Sequence, residues 1–179
     1  ILHTRWGFYI SGQRFNNEEG GIEFGKNSLF LRNEKDLLLN KSQQKKIVLE
    51  EIKTFIEKIS QKRDVIVISS IPEVGYEVPP TLARSLKFNK YDNFNNFTTS
   101  LKVYQERQKD ILDMFRLLEK EKSISLINSS EFFCSKTSGR CKSVLNKKPL
   151  YFDDDHLTKD GASKFIEFFS DDLEKFLVN

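Results

Sequence analysis

The chain has 179 residues, 38% hydrophobic and 31% charged, long enough for one domain with a proper core and ordinary for a globular protein. Its 29 basic residues against 26 acidic ones leave a net charge of +3, too small an excess to mark a nucleic-acid surface, and no basic stripe interleaved with aromatics changes that. No apolar run approaches the roughly 18 residues of a membrane span, and nothing at the start resembles a signal peptide.

The chain opens on Ile1-Leu2-His3-Thr4-Arg5-Trp6, without an initiator methionine, and reads as the end of a strand already under way. It is therefore expected to be a segment of something longer. The apolar character of residues 1–10 ends in Trp6, Phe8, Tyr9 and Ile10. From Ser11 to Asn40 a Gly- and Asn-rich region without sustained period predicts a long surface excursion. A helical pattern then runs from Lys41 to about Lys62, with Ile47, Val48, Ile52, Phe55, Ile56 and Ile59 recurring at three and four.

Asp64 to Ser70 is a β-branched run without alternation, the pattern of a strand buried on both faces of a parallel sheet. Pro72, Gly75, Pro79 and Pro80 follow as a dense loop signal, and a polar, aromatic-dotted segment continues to Phe97. A second long helix is expected from Thr98 or Thr99 to about Lys122, burying Leu101, Tyr104, Ile111, Leu112, Phe115 and Leu118. Ile124 to Asn128 reads as another short strand. A polar loop carries Cys134 and Cys141, and a final helix shows Ala162, Phe165, Ile166, Phe169, Leu173, Phe176 and Leu177 on one face.

Strand, helix, strand, helix, strand, helix predicts one α/β domain over residues 1–179, a parallel sheet with helices on both faces joined by right-handed crossovers. Three strands are few for this much helix, so more of the sheet is expected upstream of Ile1. The two cysteines, seven positions apart, are compatible with a local disulfide, which would imply an oxidising compartment, and with two free surface thiols. A metal site is disfavoured, because two thiols are half a zinc shell and no His or Cys lies nearby in sequence.

The densest chemistry lies in Tyr151-Phe152-Asp153-Asp154-Asp155-His156-Leu157-Thr158, followed by Lys159-Asp160-Gly161-Ala162. A carboxylate three residues before a histidine, in a tight turn entering a helix, can accept the Nδ1–H and leave Nε2 to take a proton from a hydroxyl nucleophile. Helix capping accounts for Thr158 as N-cap and for Asp160 in the first turn. It gives no reason for His156 or for three consecutive aspartates. Asp153 and His156 are thus the candidate catalytic pair, with Asp154 and Asp155 read as solvated or capping.

Asp153-x-x-His156 before a terminal helix resembles the last motif block of the SGNH hydrolases, the GDSL-like esterases and acetyltransferases. Leu150 to Thr158 with Gly161-Ala162 is similar to the block of SGNH domains fused to the C-terminus of type-3 acyltransferase membrane proteins, the O-antigen and other glycan O-acetyltransferases. Arg5-Trp6 with Tyr9 and Gly12, then Ile71-Pro72 through Val78-Pro79 with Leu82-Ala83-Arg84, and the Cys134/Cys141 pair resemble that subgroup's features in order. The resemblance implies a three-layer α/β/α fold with a parallel sheet, the flavodoxin-like SGNH-hydrolase architecture, with its first strands outside this chain.

The family's nucleophile sits in a Gly-Asp-Ser motif, and none occurs in these 179 residues. Ser11, Ser69 and Ser70 read more simply as loop or strand-end residues. Arg5 and Trp6 stand where the family shows its third-strand motif and are candidate substrate-binding residues, the alternative being a surface cation and a core indole. His3 reads as structural.

What the resemblance implies is an extracytoplasmic O-acetyl transfer to a cell-envelope glycan, by a Ser-His-Asp triad whose serine lies upstream. It needs neither metal nor organic cofactor. The implied partners are a transmembrane acyltransferase domain in the same polypeptide and the glycan acceptor. An esterase using the same residues, or a catalytically silent docking domain, are the alternatives.

Overall fold

Val65 to Ile68 is buried at every position, and the strand within it, Ile66–Ile68 (β2), is the centre of a three-stranded parallel sheet. Leu2–His3 (β1) pairs on one side, Leu2 opposite Val67, and Ser125–Ile127 (β4) on the other, Leu126 opposite Val67. The computed structural model describes residues 1–25, 31–32, 35, 38–88 and 97–177 of this α/β chain. They fall into two compact units. The first comprises Ile1–Arg14, Gly25–Ser70 and Arg107–Asn128, and the second Phe15–Phe24, Ile71–Glu106 and Ser129–Asn179.

In the first unit the apolar start is not one strand. After His3 the chain turns into a short helix, Trp6–Ser11 (α1), with Trp6 and Ile10 buried one turn apart and Tyr9 exposed. Gly12 ends it with a left-handed φ of 65°, its N–H donating to Phe8 O. Helix Lys41–Ser60 (α2) starts from a capping box in which Asn40 Oδ1 accepts from Gln43 N (2.9 Å) and Gln43 Oε1 accepts from Asn40 N (3.1 Å). Its apolar face is narrower than the periodicity predicts, for Ile47 and Phe55 are exposed while Ile56 is fully buried. Ile56 shares a core with Trp6, Ile10, Val67, Ile111, Phe115 and Leu118.

In the second unit the predicted surface excursion begins with a folded turn. Phe15, Asn17 and Glu23 are buried, Asn17 Nδ2 donates to Val74 O (3.0 Å), and its Oδ1 accepts from Gly21 N (2.8 Å). The proline signal is also corrected. Ile71 to Gly75 is a buried loop, but Pro79 and Pro80 lie in the first turn of a helix, Val78–Lys87 (α3), where a missing N–H costs nothing. The rest of that expected loop, residues 89–96, lies outside the described residues.

Thr98 and Thr99 belong to a strand, Thr98–Ser100 (β3), and the second long helix starts only at Leu101, running to Lys120 (α4). After β4, a short helix Ser130–Phe133 (α5) leads into Cys134–Ser135 (β5) and Arg140–Lys142 (β6). These join β3 in an antiparallel sheet of order β3-β6-β5, with Cys134 opposite Cys141 and the two bonded as a disulfide. Val144–Leu145 (β7) and Lys148–Pro149 (β8) form a hairpin around Asn146 and Lys147, both at positive φ.

The expected final helix is two, Lys159–Phe168 (α6) and Ser170–Leu177 (α7), broken at Phe169. Phe165 and Phe169 are buried with Phe132 and Phe133 in an aromatic cluster, whereas Ile166 and Phe168 are largely exposed. No described helix is long and apolar enough to cross a membrane.

Candidate active site

The site begins with a loop tied at both ends. Tyr151 and Leu157 form an antiparallel bridge, Phe152 N donates to His156 O (2.7 Å), and Thr158 N donates to Leu150 O (2.9 Å). Between them residues 152–156 must turn sharply. Asp153 organises the turn itself: its Oδ1 accepts from the backbone N–H of Asp155 (2.9 Å) and of His156 (2.7 Å), the local bonding that favours aspartate in turns.

With Oδ1 occupied by backbone, Oδ2 faces the imidazole, 2.8 Å from His156 Nδ1. Asp153 thus shapes the loop and engages the ring with different oxygens. Burial works against its ionisation, but the two backbone donors and the imidazole outweigh it and hold its carboxyl below the usual range. The His156 side chain is 71% exposed and that of Asp153 26%. Both carboxylates meet the ring at the same nitrogen, Nδ1.

Two further contacts anchor the turn. Val74 N donates to Asp154 O (2.8 Å) and Val78 N to Asp153 O (3.3 Å), joining it to the buried 71–75 loop and the start of α3. Downstream, Thr158 Oγ1 accepts from Gly161 N (2.9 Å) as the N-cap of α6, and Asp160 sits in the first turn. A Cβ at position 161 would run into the Leu150 carbonyl oxygen and stand 3.0 Å from its carbon, so only glycine permits this approach. Capping and the Asp/His pair therefore coexist in one motif.

The three aspartates are not equivalent. The Asp154 carboxyl is half-buried, and burial, then the charges of Asp155, Glu23 and Asp153, push it up to about 6. Asp155, read from the sequence as solvated or capping, is neither: it is 5% exposed, and its Oδ1 lies 2.7 Å from His156 Nδ1. The only hint available beforehand was adjacency to the histidine, which does not say which way a side chain points.

Asp153, Asp155 and His156 each offer one ligand atom within 4.8 Å of the others, a set that could be considered for a cation. The N···O separations of 2.7 and 2.8 Å match charge-assisted hydrogen bonds, whereas ligands around a tetrahedral zinc stand about 3.4 Å apart. The donor set fits a held imidazole better than a metal.

Trp6 and Arg5 belong to the first unit. Trp6 is 8% exposed, its indole N–H donates to Ile68 O (3.0 Å), and its ring meets Phe115 edge-on, the surroundings of a core indole. Arg5 is partly exposed with its guanidinium 4.9 Å from the Phe8 ring centroid. His3 Nδ1 lies 3.3 Å from Ile68 O. Ser69 and Ser70 are buried beyond β2, and Ser11 Oγ donates to Gly7 O (2.7 Å) at the end of α1.

The family model described as SGNH domain (fused to AT3 domains) matches residues 1–171, nearly the whole chain. The chain belongs to this SGNH family, whose chemistry is acyl transfer or ester hydrolysis and whose name records fusion to a membrane acyltransferase domain. Comparison with curated proteins and with solved structures found no match.

Proposed function

We propose that this chain carries the acid and base of an O-acetyltransferase acting on a cell-envelope glycan outside the cytoplasm. A serine from polypeptide outside residues 1–179 attacks the acetyl donor while His156 Nε2 takes its proton. His156 then protonates the leaving group, and in the second half-reaction takes the proton of a sugar hydroxyl that attacks the acetyl-serine and returns it to the serine oxygen as the ester bond to serine breaks. Asp153 holds the Nδ1–H tautomer and stabilises the imidazolium formed in each half-reaction.

The observation that carries this reading is the 2.8 Å contact between Asp153 Oδ2 and His156 Nδ1 on a mostly exposed imidazole, in a chain of the SGNH family. The absence of Gly-Asp-Ser from the sequence supports a nucleophile located elsewhere in the polypeptide. The Cys134–Cys141 disulfide supports an oxidising, extracytoplasmic setting. The fused membrane domain is the partner that delivers the acyl group, and Arg5 is assigned an anionic group of donor or acceptor.

The test uses the full polypeptide in cells or membranes, with glycan-bound acetate as readout. His156→Ala should reduce acetylation on the order of 10⁴-fold or more, as loss of a triad base does. Undiminished transfer would remove His156 from the chemistry. Acetate released to water at the same rate with and without glycan would make the enzyme an esterase.

A further inference from the structure

We propose that Asp155 is a second positioning carboxylate for His156, so that the imidazole is held by two acids and not one. The inference rests on the reading of His156 as base and adds a residue to it. Asp155 Oδ1 stands 2.7 Å from Nδ1 and Asp153 Oδ2 stands 2.8 Å from the same atom. Two carboxylate oxygens thus stand within hydrogen-bonding distance of one ring nitrogen.

Their surroundings differ in a way that divides the work. Asp153 Oδ1 is occupied by two backbone donors, which fix that carboxyl to its own loop. The Asp155 side chain is 4% exposed, against 26% for Asp153, so its attraction for a protonated ring is less screened by water. Its backbone is held too, since Asp155 N donates to Asp153 and the neighbouring Asp154 O accepts from Val74 N. A buried carboxylate placed by a rigid loop disfavours rotation of the ring and favours the imidazolium. Among the described residues, Asp154, Glu23, Glu73, Tyr76, Tyr104 and the buried Tyr151 phenol are ionisable groups in electrostatic reach of this turn.

Because either acid can keep the Nδ1–H tautomer, the losses should be redundant. Asp153→Asn alone should lower turnover on the order of 10²-fold, and Asp155→Asn about tenfold. Asp153→Asn with Asp155→Asn should approach the 10⁴-fold typical of a base with no orienting acid. A single Asp153→Asn loss as large as the double would overturn the proposal.

A second readout does not depend on acyl transfer. With ¹³C-labelled histidine in the full polypeptide, the ring signal lost in His156→Ala is that of His156. Asp155→Asn should lower the His156 pKa by about one unit relative to the parent chain, an effect that a purely structural role would not produce. An unmoved pKa in a folded Asp155→Asn chain would overturn the assignment. Should that variant not fold, the Asp155 ¹³Cγ signal of the parent chain should show an inflection at the His156 pKa, and a flat trace there would equally overturn it. If His156→Ala leaves acetylation intact while these titrations behave as expected, the acyl-transfer reading fails and the two-acid geometry stands.

Discussion

The Tyr151 hydroxyl donates to the Pro72 carbonyl at 2.7 Å, with Tyr151 fully buried. This bond ties the segment two residues before Asp153 to the loop that also receives Asp154 O. Burial, with nearby carboxylates and phenols, raises the Tyr151 pKa well above the usual phenol value, so the group remains a donor throughout the working pH range.

Tyr151→Phe keeps the ring and leaves Pro72 O without this donor. It should destabilise the fold by about 1–3 kcal/mol, the cost of an orphaned buried acceptor. Urea unfolding at neutral pH measures this, and an unchanged midpoint would show that water takes the donor's place.

Gly161→Ala drives a methyl into the Leu150 backbone, which cannot yield as a flexible side chain would. A loss of about 2 kcal/mol or more is expected, against the usual gain for Gly→Ala inside a helix. Thr158→Ala should cost about 1 kcal/mol by removing the cap on Gly161 N. Both changes loosen the helix entry behind His156, so turnover should fall along with stability.

The aspartate run gives stability a pH dependence of two signs. Asp154 holds its proton up to about 6 when folded and titrates near 3.8 otherwise, so between those values the folded chain binds more protons. Its contribution is complete below the lower value and lost as pH rises through the upper one. Asp154→Asn should therefore be more stable than the parent above pH 6 by about 1 kcal/mol, allowing for solvent screening of a half-exposed group, and equal to it near pH 4. Asp153 is depressed and runs oppositely: its contribution is present above the ordinary carboxylate range and lost on acidification. Urea titrations at the two pH values separate the variants.

The Cys134–Cys141 bond closes a loop of seven positions across β5 and β6. Chain entropy for so short a loop gives about 2.5 kcal/mol. Cys134→Ser with Cys141→Ser, or reduction, should lower the thermal midpoint by several degrees. An unchanged melt would mean that the β3-β6-β5 pairing holds without the link.

Local pattern made much of this molecule legible. The three- and four-residue spacing around Ile56 and Phe115 announced α2 and α4, the β-branched run announced β2, and the spacing of Asp153 and His156 announced their meeting. What escaped was decided by distant partners. Asp155 is buried because the turn docks on Val74 and Val78, residues some eighty positions earlier. Strands β3 and β5 to β8 are two or three residues long, too short for any period to show, and exist by pairing with one another. Pro79 and Pro80 signalled a loop because the same residue that breaks a helix inside also opens one.

Trp6 sets a last and sharper test, because its indole is bound on both its polar and its apolar side. Its N–H meets Ile68 O at 3.0 Å, and its ring lies 5.2 Å from that of Phe115 at 79°. Trp6→Phe retains an aromatic ring and loses the donor, for a cost of about 1 kcal/mol; Trp6→Ala removes the ring from the core, for about 3–5 kcal/mol. A residue acting through the core shifts the unfolding midpoint and leaves the acceptor KM of the folded enzyme unchanged. One lining the substrate site shifts KM in Trp6→Phe with little change in stability. The burial and bonding of Trp6 predict the first outcome, and KM and melting measured on the same Trp6→Phe preparation decide between them.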